Sequence, residues 1–382
     1  MANITKRGDT YRIKVSCGYD VYGKQVVKST TYKPDPTKSD KWNEKELQRQ
    51  AVLFEESCKQ GQSITSAKFE TFAREWFKDY AELKLKRNTV SSYHSMEKRI
   101  YSLLGHIRID RITPLDIQRL VRSLVADGLG TDNVKGHVRL VSVILNYAIK
   151  KRLLTYNPCV SVDYPIAQEK ARDFYTIEEV KKLLELLRCE VEEHKPFVLF
   201  FMLAIYTGCR RGELLGLEWK DIDFDNDTLI VARAYYYDAY KKEYYTDTPK
   251  TKRSHRSLKL PMHLTETLKK FKTWQDGQKE ICGSSWVEND RLFTQWNGVP
   301  MNTGSPSAYL AKLSKRTGIR KVSIHSFRHF NASALINSGV DVVTVQTALG
   351  HSTPSTTLGI YSHAFSNAQT KAMEAIANVI DL

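Results

Sequence analysis

The stretch 207-TGCRRGELLGLEW-219 sets a helix breaker directly before two adjacent arginines. Thr-Gly-Cys ends one helix, Arg210 and Arg211 open the next, and Glu213 follows within the first turn. The arginines could simply pair with Glu213 and Glu218. Three further clusters lie downstream. The segment 248-TPKTKRSHRSLKLP-261 reads as a hairpin-like strand pair crowded with positive charge and little acid to balance it. In 325-HSFRHF-330, His325, Arg328 and His329 fall on adjacent turns of one helix, where residues three or four apart share a face. Last comes 349-LGHSTPSTTLGIYSHAF-365, which holds His351 and Tyr361.

Each cluster has an ordinary structural explanation when taken alone. Twenty tyrosines are spread along the chain, so no single one stands out by type. Together, however, the clusters describe one kind of site: arginines and imidazoles with a lysine and a hydroxyl, and no group of carboxylates. Arginine grips phosphate oxygens with two parallel hydrogen bonds, and histidine can donate to them. In-line attack on a phosphodiester needs stabilised charge on phosphorus, a nucleophile, and a proton for the departing oxygen. Tyrosine can be the nucleophile, although a phenol with a pKa near 10 needs cationic neighbours or a base. The absence of paired carboxylates argues against a metal-dependent nuclease.

The composition agrees with a polyanionic partner. The 382 residues carry a net charge of +15, with an isoelectric point of about 9.3. The positive surplus appears in every part of the chain and is densest between residues 66 and 170, so it is not one basic tail. Neutralising phosphates with such residues releases condensed counterions. Hydrophobic residues make up 41% and charged residues 26%, the balance of a globular protein. No apolar run approaches the ~18 residues that span a bilayer, and the start lacks a signal-type apolar segment. The six cysteines, at 17, 58, 159, 189, 209 and 282, are scattered without a CxxC pair. That predicts reduced thiols in a cytoplasm, with neither a disulfide framework nor a thiolate zinc site.

The organisation predicted is a multidomain α+β chain. Tyr11, Ile13 and Val15 alternate with Arg12, Lys14 and Ser16, the period of a half-wet strand. Gly18 to Gly23 supplies a turn and residues 24–32 a return strand, so this unit displays Arg12, Lys14, Lys24 and Lys28. A helix follows through Leu47, Val52 and Phe54. Residues 66–156 read as all-helical. Phe69, Phe72, Trp76 and Tyr80 form one stripe, and Val90, Tyr93, Ile100 and Leu104 a second with Asn88 or Thr89 as N-cap. A third helix starts near Pro114, and a fourth runs through Val138, Val141, Leu145 and Ala148. Lys86, Arg87 and Arg139, among other basic residues here, are candidates for contact with nucleic acid. Residues 157–172 contain two prolines and no period, as a linker does. Thr176 with Glu179 then forms a capping box, and helices mixed with a short sheet near 227–261 fill the remainder. In the tail, Ser366 and Gln369 form another capping box before an apolar stripe of Met373, Ile376 and Ile380.

The ordered series TG-x-R-R-x-E-L, PKTK, HSFRH, LGHS and TT-x-x-x-Y resembles the tyrosine recombinases. It is most similar to the phage lambda integrase group and the integrases of integrative and conjugative elements, and spans about residues 174–365. The resemblance implies a small arm-type DNA-binding β-sheet domain at 1–62 and an all-helical core-type DNA-binding domain at 66–160. A linker at 161–173 and a mainly helical catalytic domain at 174–382, with a small antiparallel sheet and a C-terminal tail helix, would complete the fold. It further implies that Arg210 and Arg328 clamp the scissile phosphate and that Lys250 protonates the leaving 5′ oxygen. His325 and His351 would support the phosphate and the proton traffic, and Tyr361 would form a 3′-phosphotyrosyl link. Motif position selects Arg210 over Arg211 and Lys250 over Lys252, leaving Lys252 as a DNA contact. Neither metal nor ATP nor another cofactor is implied. The implied partners are double-stranded DNA at core and arm attachment sites, a homo-tetramer on synapsed DNA, an excisionase and a host DNA-bending protein. The setting would be a bacterial cytoplasm, at the nucleoid, and the task integration and excision of a transposon, prophage or other mobile element. A non-catalytic DNA-binding regulator of the same fold is the alternative, but it would be expected to lose site residues. A type IB-like topoisomerase is another, but it would need no arm-binding unit.

Overall fold

The computed structural model describes residues 2–19, 25–59, 67–166, 175–247 and 255–350. The chain divides into two compact units, one ending at Glu169 and the other beginning at Lys170. Lys24, Lys250, Lys252, His351, Tyr361 and the tail from Ala364 to Leu382 lie outside the described residues.

The first unit opens with an antiparallel sheet of β1 (Asn3–Arg7), β2 (Thr10–Tyr19) and β3 (Gln25–Tyr32), in the order β1-β2-β3. Helix α1 (Asp40–Lys59) packs on it: Ile13 and Val15 meet Leu47, Ala51, Phe54 and Cys58 in one apolar cluster. Val52 faces outward instead, because only Leu47, Ala51, Phe54 and Cys58 follow the three-to-four residue spacing of the buried stripe. The register bears on the basic residues. Arg12 pairs with Thr31 and Lys14 with Ser29, whereas Lys28 stands opposite Val15. Directly opposed residues point to the same side of a sheet. Lys28 therefore lies on the side of the core, away from the face that carries Arg12 and Lys14.

A second cluster in the same unit belongs to helices. These are α2 (Phe69–Trp76), a π turn at Phe77–Ala81, α3 (Glu82–Lys84), α4 (Arg87–Leu104), α5 (Pro114–Ala126) and α6 (Thr131–Lys150). Phe69, Phe72 and Trp76 are buried with Leu104, Leu120 and Leu145, so the aromatic stripe is core. Helix α4 begins earlier than its sequence suggests: Lys86, not Asn88 or Thr89, is its N-cap. Asn88 and Thr89 both lie within its first turn. Helix α5 starts as expected, with Thr113 and Asp116 exchanging the two bonds of a capping box and Pro114 at the first position.

The second unit contains α7 (Ile177–Arg188), α8 (Lys195–Thr207) and the short α9 (Arg211–Leu215). The Thr176–Glu179 capping box starts α7. Five strands follow: β4 (Ile222–Asp223), β5 (Thr228–Val231), β6 (Ala234–Asp238), β7 (Glu243–Asp247) and β8 (Arg256–Lys259). They form two sheets, β4-β5-β8 and the hairpin β6-β7. Strand β8 pairs with β5, Arg256 opposite Val231. The described part of the basic segment, 255–261, thus contributes β8 to a sheet, and the β6-β7 hairpin is formed by residues before the segment. Helices α10 (Met262–Cys282), α11 (Ser305–Thr317), α12 (Ile324–Asn337) and α13 (Val342–Leu349) complete the unit. The nearly all-apolar α8 is its central element, with Leu199, Phe200, Phe201 and Leu203 in the core beside Phe293, Leu310 and Phe327. A separate cluster of Ala332 and Ile336 with Val345 and Leu349 fastens α13 to α12.

Two substitutions in the helical part of the first unit should separate core from cap. Leu120→Ala removes a fully buried side chain and should cost about 2–5 kcal/mol. Thr113→Ala removes only a cap and should cost about 1 kcal/mol. Urea unfolding followed by circular dichroism checks the order; equal costs would mean that the cavity at residue 120 collapses.

Candidate functional site

Helix α8 ends at Gly208, which adopts the left-handed conformation (φ 60°) that glycine enters without penalty. The chain turns there and presents Arg210 at the N-terminus of α9. Glu213, three residues on, is 3% exposed. Its carboxylate accepts from the Arg210 backbone N–H at 2.9 Å and from Arg210 Nη1 at 2.7 Å. Arg210 Nη2 reaches the Gly350 carbonyl at 3.3 Å. Arg211 is exposed. Glu218 serves Lys220 and Arg233 instead of the arginine pair.

Arg328, on α12, is 2% exposed. Its Nη1 donates to the Gly208 carbonyl at 3.0 Å and its Nη2 to the Leu349 carbonyl at 2.7 Å. Burial, together with the neighbouring cation of Arg210, pushes its pKa down to about 10. At neutral pH it remains a cation. His325, one turn earlier, opens to solvent at the rim. The protein around its ring, then the cations of Arg328 and Arg210, lower its pKa below the ordinary 6.5, which favours the neutral imidazole. His329 stands edge-on to it, ring centroids 4.7 Å apart.

A third guanidinium enters from β8. Arg256 Nη2 donates to Glu213 Oε2 at 2.9 Å and to Cys209 Sγ at 3.3 Å, and its Nε donates to the Ala348 carbonyl at 2.7 Å. Its side chain is only 5% exposed. Burial opposes the charge on Glu213, but Arg256 and then Arg210 outweigh it and hold the carboxyl below its ordinary pKa. Burial likewise pushes the Cys209 thiol up. Three arginines from three elements therefore converge on the carbonyls of residues 348–350, the end of α13.

The structure brings together Arg210, His325 and Arg328 of the six candidate site residues. Lys250, His351 and Tyr361 are outside the described residues, and the last described residue before His351 and Tyr361 is Gly350 at the end of α13. Sequence reasoning missed Arg256. It sits in a run of basic residues and looks solvent-facing; the signal available was the alternation that sets Arg256 on the face of Leu258 and Leu260, opposite Ser257 and Lys259, before a strand-ending proline. Glu213, expected as a structural partner of the arginine helix, pairs with Arg210 and Arg256. Of the charge candidates elsewhere, Lys14, Lys86 and Arg139 are exposed. Arg87 and Lys28 are half-buried, and Arg12 donates to the Ser29 hydroxyl from Nε at 3.2 Å and Nη2 at 3.0 Å. Among the described residues no group of acidic, histidine or cysteine side chains could hold a metal ion, and no helix is long and apolar enough to cross a membrane.

Comparison with known proteins supplies independent findings. The phage integrase family matches residues 174–368, just over half of the chain. The N-terminal SAM-like domain of phage integrases matches residues 68–125. A tyrosine recombinase XerC-like protein of Caldanaerobacter subterraneus is 28% identical, over 98% of this chain and 97% of its own. The ICEBs1 integrase of Bacillus subtilis is 25% identical, over 97% of each. Among solved structures, the Tn1549 transposon integrase in complex with a circular intermediate DNA superposes with a TM-score of 0.69 at 20% identity. That match covers 82% of this chain and all of that one. A lambda integrase tetramer bound to a Holliday junction gives a TM-score of 0.55 at 19% identity over 94% of each chain. Both show the same fold.

The environment of His325 fixes a titration. Its lowered pKa means that, between the folded value and 6.5, the unfolded chain holds more protons than the folded one. Stability should therefore rise with pH across that window and fall as pH drops through it. The imidazole resonance of His325 should titrate with a midpoint below 6.5, and His325→Gln should flatten the stability profile there. A midpoint at or above 6.5 would show that burial and the two guanidiniums do not act on the ring as this geometry places them.

Proposed function

Because the chain belongs to the phage integrase family and is a tyrosine recombinase, a site-specific enzyme that cuts and rejoins DNA strands, we propose that Tyr361 is its nucleophile. Its phenolic oxygen attacks the scissile phosphorus, the bond to the 5′ oxygen breaks, and a 3′-phosphotyrosyl ester forms. Lys250 gives the 5′ oxygen its proton. Arg210 and Arg328 hold the non-bridging oxygens as charge grows on them. Neutral His325 can take up the phenolic proton, and His351 assists at the phosphate. The ester keeps the bond energy, so a 5′ hydroxyl from a second strand can reverse the step without ATP.

One observation carries this assignment. Two guanidiniums of the matching motifs, Arg210 and Arg328, meet at the carbonyl end of α13, directly before the segment that contains His351 and Tyr361. Such a corner is built to hold negative charge next to a tyrosine arriving from the following chain. The motif series further supports Lys250 over Lys252 as the general acid.

The substrate in this reading is the attachment-site DNA of a mobile element, which the enzyme integrates and excises. Residues 66–160 bind the core site around the cleavage point, with Lys86, Arg87 and Arg139 as phosphate contacts. Residues 1–62 bind separate arm sites through the sheet face that bears Arg12 and Lys14. A linker at 161–173 joins them to the catalytic part, 174–382. Four copies act on two synapsed sites, as four copies of lambda integrase do on a Holliday junction, with an excisionase and a DNA-bending protein setting direction. The work is done in the cytoplasm, on nucleoid DNA.

Two substitutions test the chemistry. Tyr361→Phe removes one hydroxyl, so DNA binding should persist while covalent complex on a nicked suicide substrate disappears. A Phe variant that still forms a protease-resistant adduct would move the nucleophile to another tyrosine. Lys250→Ala should slow cleavage of an ordinary 5′ oxygen by about 100-fold or more, yet leave a bridging 5′-phosphorothiolate, whose sulfur departs without a proton, almost unaffected. Equal defects on both substrates would assign the proton to another group, with Lys252 the next candidate.

A further inference from the structure

Arg256 is not among the residues assigned a role above, yet its side chain joins three parts of the site. Through Glu213 it reaches Arg210, through Cys209 the turn before α9, and through the Ala348 carbonyl the last turn of α13. It also opens β8, two residues after the segment 248–254 that contains Lys250. We propose that Arg256 is a positioning residue for strand cleavage, setting the direction of the Arg210 guanidinium through Glu213 and the location of the α13 terminus through Ala348. The inference rests on the reading of Arg210 as a phosphate clamp.

The geometry distinguishes this role from plain stability. Glu213 Oε1 is bound by Arg210 Nη1, and Oε2 by the Arg210 backbone and Arg256 Nη2 together. A carboxylate held at both oxygens cannot rotate, so it fixes the fork of Arg210. Without Arg256 the carboxylate keeps only its bonds to Arg210 and loses the tie to β8, so carboxylate and guanidinium can shift together. A buried charge that loses its partner also tends to neutralise. A protonated Glu213 would accept fewer bonds and release Arg210. Among the described residues, the charged and titratable groups that face Glu213 are Arg210, Arg256, Arg328, Cys209 and Tyr236. Of these Arg256 is the first and strongest influence holding the carboxyl ionised.

The test uses the full chain and follows covalent complex formation on a nicked suicide substrate, at saturating protein, against pH. Gel-shift affinity and thermal unfolding are measured alongside. Arg256→Lys keeps the charge but cannot reach Glu213, Cys209 and Ala348 at once; it should bind core-site DNA within about twofold of wild type and cleave about tenfold or more slowly. Arg256→Met should add a new pH dependence, with cleavage rising as pH rises and Glu213, left with Arg210 as its remaining cationic partner, ionises. Adding Glu213→Gln to Arg256→Met should abolish that dependence. A merely structural arginine would lower melting temperature, affinity and rate together, and would create no titration that Glu213→Gln removes. Wild-type cleavage by Arg256→Lys, or an Arg256→Met profile unchanged by Glu213→Gln, would overturn the proposal. Arg210→Lys is assayed in parallel: if it cleaves like wild type, the phosphate-clamp reading fails, whatever the Arg256 variants do.

Discussion

Guanidinium groups packed side by side repel one another, and burial takes away the water that would screen them. Arg210, Arg256 and Arg328 share one corner only because negative charge and negative dipole ends face them there. The carboxylate of Glu213 balances the first two. The carbonyls of Ala348, Leu349 and Gly350 receive one guanidinium each. These are the last carbonyls of α13, which have no partner within the helix and carry the negative end of its dipole. The helix end and the arginines satisfy each other, so neither is placed independently.

This mutual dependence extends into apolar packing. Val345 and Leu349 seat α13 against Ala332 and Ile336 of α12, the helix that also carries His325 and Arg328. Leu349 comes so close to Gly208 that a Cβ there would lie 2.5 Å from Leu349 Cδ2 and 2.9 Å from Asn331 Oδ1. The glycine between Thr207 and Cys209 is thus required twice. It turns the chain from α8 into α9, and it leaves space for the leucine whose carbonyl Arg328 holds. Asn331 adds a polar tie, donating to the Ile205 and Tyr206 carbonyls at 2.9 and 3.0 Å. Core packing and the charged corner are two sides of one construction.

Much of this was legible in the sequence wherever the signal was local. The capping box at Thr176–Glu179, the helix start near Pro114, the Gly208 break and the one-turn spacing of His325 and Arg328 are all written within a few residues. Readings that depend on distant partners fared differently. The side of the sheet taken by Lys28 follows from the pairing of β2 with β3, which includes a register shift between Ser16 and Tyr19; alternation within one strand cannot reveal it. The start of α4 at Lys86 lies where two good capping residues follow within three positions, and propensity alone favoured the wrong one. Arg256 was the largest omission. Its carboxylate partner is 43 residues away, and in a run of lysines and arginines a buried guanidinium looks like any other.

The three arginines are not equivalent, and their differences suggest how a phosphate could be accommodated. Arg256 and Arg328 each give a helix carbonyl a bond of 2.7 Å and are almost fully enclosed. Arg210 is 40% exposed in its side chain, is tied by Nη1 to Glu213, and reaches Gly350 only at 3.3 Å through Nη2. An arriving phosphate oxygen is a stronger acceptor than a carbonyl at that distance. Arg210 can exchange the weak Gly350 bond for it while Glu213 keeps the fork aimed, and Arg328, held by the Gly208 and Leu349 carbonyls, stands fixed as the second clamp.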